Sequence, residues 1–145
     1  MHATFIDIEP MTQKLVLESK LRSVDAVDSL ITQVREEYFI AEDVCNDIWV
    51  VLNEAVSNAI KHGNRFDAQK KVRLSVEIKE ERYLWFTVKD EGAGFDPDKV
   101  PDPTTPDRIH EPNGRGIYLM KKLSKSVNFL NNGTTVEMCF DLFEG

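Results

Sequence analysis

Cysteine is scarce in this chain. Only two occur among 145 residues, Cys45 and Cys139, and they do not have metal-ligand spacing. Each sits in an apolar periodic segment, so both read as small buried hydrophobes of a reducing compartment rather than as a disulfide. Long apolar runs are missing too. The longest, Ile48-Trp49-Val50-Val51-Leu52, is far too short to cross a bilayer, and no membrane association is expected. The start, Met1 to Asp7, lacks the basic and apolar regions of a signal peptide, which points to a cytoplasmic address. Positive charge is in deficit as well. The 18 Lys and Arg against 25 Asp and Glu leave a net charge of -7, which repels nucleic acid. A small anionic ligand remains open, because local backbone donors or a metal override the global sign.

What is present fits one globular domain over residues 1–145, long enough to bury a sizeable core. Thr12 to Ser19 alternates as a strand. Ser23 reads as an N-cap before Val24, Val27, Leu30, Ile31 and Val34 at helical spacing. Ala41-Glu42-Asp43 opens a second helix with a buried arc of Val44, Ile48, Val51, Leu52, Ala55 and Ala59, ended by Gly63-Asn64.

The period then changes from 3.6 to 2. Val72, Leu74, Val76 and Ile78 alternate with polar residues, Glu80-Glu81-Arg82 forms a turn, and Tyr83 to Val88 returns as a strand. Five of the six prolines fall between Phe95 and Pro112, which makes that stretch a long irregular loop. Gly116 to Leu123 is a short helix. Val127 to Leu130 and Thr135 to Phe143 are closing strands around an Asn131-Asn132-Gly133 turn. Helices and strands come in blocks, so the expected fold is α+β: a two-layer sandwich with helices on one face of a mostly antiparallel sheet.

Three polar islands interrupt this pattern. Glu54, Asn58 and His62 share one stripe of the second helix, beside its buried arc. A carboxylate and a carboxamide at a core edge are costly unless they bind something. Asn58 offers a neutral oxygen for magnesium and Glu54 a general base; the competing reading is a solvated helix face. Asp90-Glu91-Gly92-Ala93-Gly94 follows a strand directly. It is either a tight turn or a backbone-lined pocket in which Asp90 accepts a hydrogen bond from an amino group. Gly114-Arg115-Gly116 at a helix start either holds phosphate oxygens on free amides or is backbone geometry alone.

Taken in order, these islands resemble the ATP-binding domain of the gyrase, histidine-kinase and mismatch-repair ATPase superfamily, the Bergerat fold. Glu54-x-x-x-Asn58 resembles its N box, Asp90-x-Gly92-x-Gly94 its G1 box, Gly114-x-Gly116 its G2 box, and Gly133-Thr134-Thr135 its last box. The resemblance spans residues 12 to 143. Within the superfamily the chain looks most like the anti-sigma-factor serine/threonine kinases of bacterial partner switching. A histidine kinase would also need a phosphoacceptor helix pair and the gyrase-like and mismatch-repair proteins a transducer domain, and neither is expected within these 145 residues.

This resemblance implies ATP and magnesium (Mg2+), with Glu54 as general base, Asn58 as metal ligand and Asp90 as partner of the adenine amino group. It implies that Gly92 and Gly94 shape the adenine pocket and that Phe95 to Asn113 forms a lid. Gly114, Arg115 and Gly116 would lie against the phosphates, and Thr134 or Thr135 would support Asp90. The implied activity is phosphorylation of a small anti-anti-sigma regulatory protein and sequestration of a sigma factor or similar client. A homodimer through the N-terminal strand is implied as well. The chain departs from the kinases of this group at Glu111-Pro112-Asn113, where they carry an Arg; Arg115 and Arg108 are the candidates to replace it. The alternative activity is nucleotide-dependent sequestration, or slow ATP hydrolysis, without transfer to a protein.

Overall fold

A computed structural model of the chain describes residues 12–96 and 114–143. The expected lid therefore lies outside the described residues apart from Phe95 and Asp96, and Arg108 lies outside them too. The element order is β1 (Thr12–Glu18), α1 (Val24–Tyr38), α2 (Glu42–Asn58), β2 (Lys71–Lys79), β3 (Tyr83–Lys89), α3 (Gly114–Leu123), β4 (Ser126–Leu130) and β5 (Thr135–Asp141). The five strands form one sheet in the order β1-β2-β3-β5-β4. All four neighbouring pairs are antiparallel, as the sequence led one to expect.

Register follows from the alternation. Leu15 faces Leu74, Leu74 faces Val88, and Val88 faces Val136, so apolar residues line up across the sheet on one face. Against that face pack the apolar arcs of the helices: Val27, Leu30, Ile31 and Val34 from α1, and Val44, Ile48, Val51, Leu52 and Ala55 from α2. Met120 of α3 joins the same core, and Val127 and Phe129 of β4 close its edge. These elements make a two-layer α+β sandwich with its helices on one face. Among the described residues, no helix is long and apolar enough to cross a membrane.

Two local features differ from the sequence reading. Ser23 does not cap α1 with its side chain. It belongs to a short 3-10 turn, Leu21–Ser23, and its hydroxyl donates back to the Glu18 carbonyl at 2.9 Å. At its other end the helix runs on to Gly63, where the sequence ends it, but its last turn, Ala59–Gly63, is π-helical. The hairpin turns behave as read: Glu80 and Glu81 take φ of 57° and 53°, and Asn131 and Asn132 take 53° and 59°.

Candidate functional site

The last turn of α2 with the π-helical turn after it, the turn after β3, the first half of α3 and the turn before β5 converge on one pocket. About 570 Å³ of space, counting the solvent at its mouth, lies between them. Its walls are largely apolar, with Ala55, Val88, Ile117, Met120, Phe129 and Val136, while Asn58, His62, Asp90 and Thr134 bring polar atoms to it. The Phe95 and Phe129 rings meet edge to face with centroids 5.6 Å apart and form one wall.

Asp90 is the charged group of this pocket. Its amide donates to the Thr134 carbonyl at 2.9 Å, which ties the end of β3 to the start of β5. One carboxylate oxygen, Oδ1, accepts the Gly92 N–H at 2.8 Å, while Oδ2 has no hydrogen-bond partner among the described residues. Burial raises its pKa from the usual 3.8, opposed by the Gly92 amide and by Lys70. A half-buried carboxylate oxygen beside an apolar slot calls for a donor from a ligand. An amino group on a flat apolar ring supplies both parts of that complement.

Glu54 and Asn58 form a second polar cluster, of which Asn58 lines the pocket and Glu54 does not. They lie one turn apart on α2 and meet the first turn of α3 at Gly116. A β-carbon on Gly116 would stand 2.8 Å from both Glu54 Oε2 and Asn58 Nδ2, so only glycine leaves both groups where they are. This corner offers a carboxylate and a carboxamide beside the N-terminal turn of a helix, a set of donors and acceptors that suits a hydrated magnesium ion carrying phosphate oxygens. His62 continues the stripe into the pocket, where burial above all, then Lys61, lowers its pKa from 6.5.

The remaining expected residues are distributed as follows. Gly94 lines the pocket, whereas Gly92 stands behind it, packed so close to the Gly63 carbonyl that any side chain would collide. Gly114 and Arg115 begin α3, with Arg115 exposed and absent from the pocket lining. Thr134 lines the pocket and accepts the Asp90 amide. Thr135 is buried elsewhere: it lies across from Lys89 and Leu130 and accepts a 3.3 Å bond from Asn131 Nδ2. Support for Asp90 thus comes from Thr134, through its backbone.

Sequence reasoning missed Gly63, Phe95, Ile117, Met120 and Phe129 as lining. The last three carry ordinary core periodicity, and only their position beside Asp90 and Asn58 gives them another role. Gly63 carried a signal that went unused, a glycine one residue beyond the Glu54-Asn58-His62 stripe.

The histidine kinase-like ATPase domain family matches residues 17–140. The anti-sigma F factors of Bacillus thuringiensis (strain Al Hakam) and Bacillus mycoides (strain KBAB4) are each 37% identical over 98 residues. That stretch covers 63% of this chain and 66% of each relative, so the chain spans just under two thirds of their length. Among solved structures, the RsbU and RsbW domains of Rv1364c from Mycobacterium tuberculosis superpose with a TM-score of 0.63 at 13% identity. The match covers 90% of this chain and 32% of that one, a likeness of fold.

Proposed function

The chain belongs to the histidine kinase-like ATPase domain family, and on that premise we propose that it is an ATP-dependent serine/threonine protein kinase of the anti-sigma-factor type. The observation that carries the proposal is a pocket with Asp90 and Asn58 in its apolar lining and a carboxylate close by. Asn58 shares with Glu54 the contact on Gly116, although Glu54 and Gly116 are not themselves lining residues. The 37% identity to proteins named anti-sigma F factor supports the choice of subfamily.

In this reading Asp90 accepts the adenine amino group, and the ring lies against apolar neighbours such as Val88, Ile117 and Met120. Asn58 supplies a protein ligand for magnesium, which when bound neutralises phosphate charge. Glu54 takes the proton from an incoming serine or threonine hydroxyl. Because phosphoryl transfer is largely positioning and charge stabilisation, a base, a metal and aligned donors are sufficient machinery. The amide groups of Gly114, Arg115 and Gly116 at the start of α3 lie against the phosphates.

The substrate is a small anti-anti-sigma-type regulatory protein, and the sequestered client is a sigma factor or a similar protein, in the cytoplasm. Homodimer formation falls to β1, an edge strand with Val16 63% exposed. A second reading, nucleotide-dependent sequestration or slow ATP hydrolysis without protein phosphorylation, is favoured by Glu111-Pro112-Asn113 and by Arg115 standing outside the pocket lining. Incubating the protein with labelled magnesium-ATP and a candidate anti-anti-sigma-type protein from the same genome separates the two. Label on a serine or threonine of the partner is expected. Nucleotide-dependent complex formation without label establishes the second reading instead.

A further inference from the structure

The end of α2 and the Asp90 turn are locked together at one side chain, and we propose that Asn64 is the positioning residue that aims Asp90 at the base. The proposal rests on the reading of Asp90 given above. Asn64 is 1% exposed, and every polar atom of its amide is used. Nδ2 donates to Ser19 Oγ and to the Lys71 carbonyl, both at 3.0 Å, and Oδ1 accepts the Glu91 N–H at 2.7 Å. One amide therefore ties the segment after β1, the start of β2 and the residue following Asp90.

The surroundings reinforce this lock. The π-helical turn Ala59–Gly63 delivers Gly63 and Asn64 to the 90–92 turn, and the Asn64 backbone N–H donates to the Ala59 carbonyl at 2.8 Å. Gly63 packs so tightly on the Asp90 carboxyl that a side chain there would overlap it, and Gly92 packs as tightly on the Gly63 carbonyl. Glu91 is held a second time, its Oε2 accepting the Lys71 N–H at 2.5 Å.

Asp90 is thus clamped from two sides. Its own N–H is held by Thr134, and the next N–H along the chain is held by Asn64. The carboxylate makes a single bond among the described residues, to Gly92 within its own turn, so its aim is set by where the turn is held. Removing the Asn64 amide releases one side of the clamp and leaves the Glu54-Asn58-Gly116 corner intact. The expected loss is therefore in base discrimination, not in binding of ribose, phosphates or metal.

The test compares ADP with inosine diphosphate, which has the same sugar and phosphates but an oxygen in place of the adenine amino group. Calorimetry is run on the full chain as wild type, Asn64→Ala, Asn64→Ser and Ser19→Ala, with melting temperatures alongside. Wild type should prefer ADP by ~30-fold, a typical penalty for replacing the donor to a half-buried carboxylate. Both Asn64 variants should bring that ratio below ~3-fold while inosine diphosphate affinity stays near the wild-type value. Ser19→Ala breaks the same cluster away from Glu91, so it should lower the melting temperature and keep the ratio. Asn64→Ser, which retains a hydroxyl in the site, carries the test if Asn64→Ala does not fold. Asn64 variants that melt early yet discriminate like wild type would overturn the positioning role. A wild type indifferent to the two nucleotides would instead overturn the assignment of Asp90 to the base, and the proposal with it.

Discussion

Glu54 Oε2 lies 2.8 Å from the point where a β-carbon on residue 116 would stand. The two residues come from different helices, α2 and α3, and in the proposed reading their approach sets the phosphate end of the site. Gly116→Ala is therefore an unusual helix substitution. Alanine is the better helix former by about 1 kcal/mol, so stability should hold or rise. Yet the added methyl must push the Glu54 and Asn58 side-chain ends aside, and phosphoryl transfer should fall ~10-fold or more. Thermal melting and phosphate incorporation on the same preparation check this. A variant that is more stable and equally active would remove the Glu54-Gly116 contact from the account.

Asp90→Asn keeps the shape of the side chain but puts an NH2 group where the pocket has a carboxylate oxygen. Loss of a charge-assisted hydrogen bond, with a donor now facing the amino group, should cost about 2–3 kcal/mol, or ~30- to 150-fold in ADP affinity. Burial has raised the Asp90 pKa above 3.8, so the wild-type carboxylate takes up its proton earlier on acidification than an exposed aspartate would. ADP affinity should fall with that protonation in wild type and not in Asp90→Asn. Calorimetry at neutral and mildly acidic pH reads both effects, and wild-type affinity in the variant would void the assignment.

Away from the site, Arg82 and Asp141 govern part of the acid stability. The Arg82 Nε and Nη2 donate to the Asp141 carboxylate at 2.9 and 2.7 Å, and the Asp141 side chain is 1% exposed. The Arg82 hydrogen bonds, against some burial, bring the Asp141 pKa down from 3.8 to about 2. A depressed carboxyl pKa means stability present above 3.8 and lost as pH falls towards about 2. Arg82→Gln should be less stable at neutral pH and lose less further stability across that acid window. Parallel acid-unfolding curves for the two proteins would show that the pair contributes nothing there.

The sequence made the fold legible because its periodicity was clean. Val72, Leu74, Val76 and Ile78 could bury only one face of a strand, and Val44 to Ala59 could bury only one face of a helix. The polar corners were legible for a related reason: Glu54, Asn58 and Asp90 sit at the edge of apolar periodic segments, where a charge or amide is costly without a task. The apolar walls were not legible, because Ile117, Met120 and Phe129 follow the rules of any core position. Support for Asp90 by Thr134 was reached through the family resemblance alone, since the bond goes to the Thr134 carbonyl and a backbone group carries no residue signature. The π-helical turn at Ala59–Gly63 escaped as well, being a product of how α2 meets the Asp90 turn.

The most direct test of the account is phosphate transfer from labelled ATP to the regulatory partner by wild type and by Glu54→Gln, with nucleotide affinity measured beside it. Glutamine keeps the size and polarity of the side chain next to Gly116 but cannot take a proton at neutral pH. The account predicts that Glu54→Gln binds magnesium-ATP as wild type does and transfers phosphate ~100-fold more slowly, or slower still. Transfer at the wild-type rate by Glu54→Gln would contradict it.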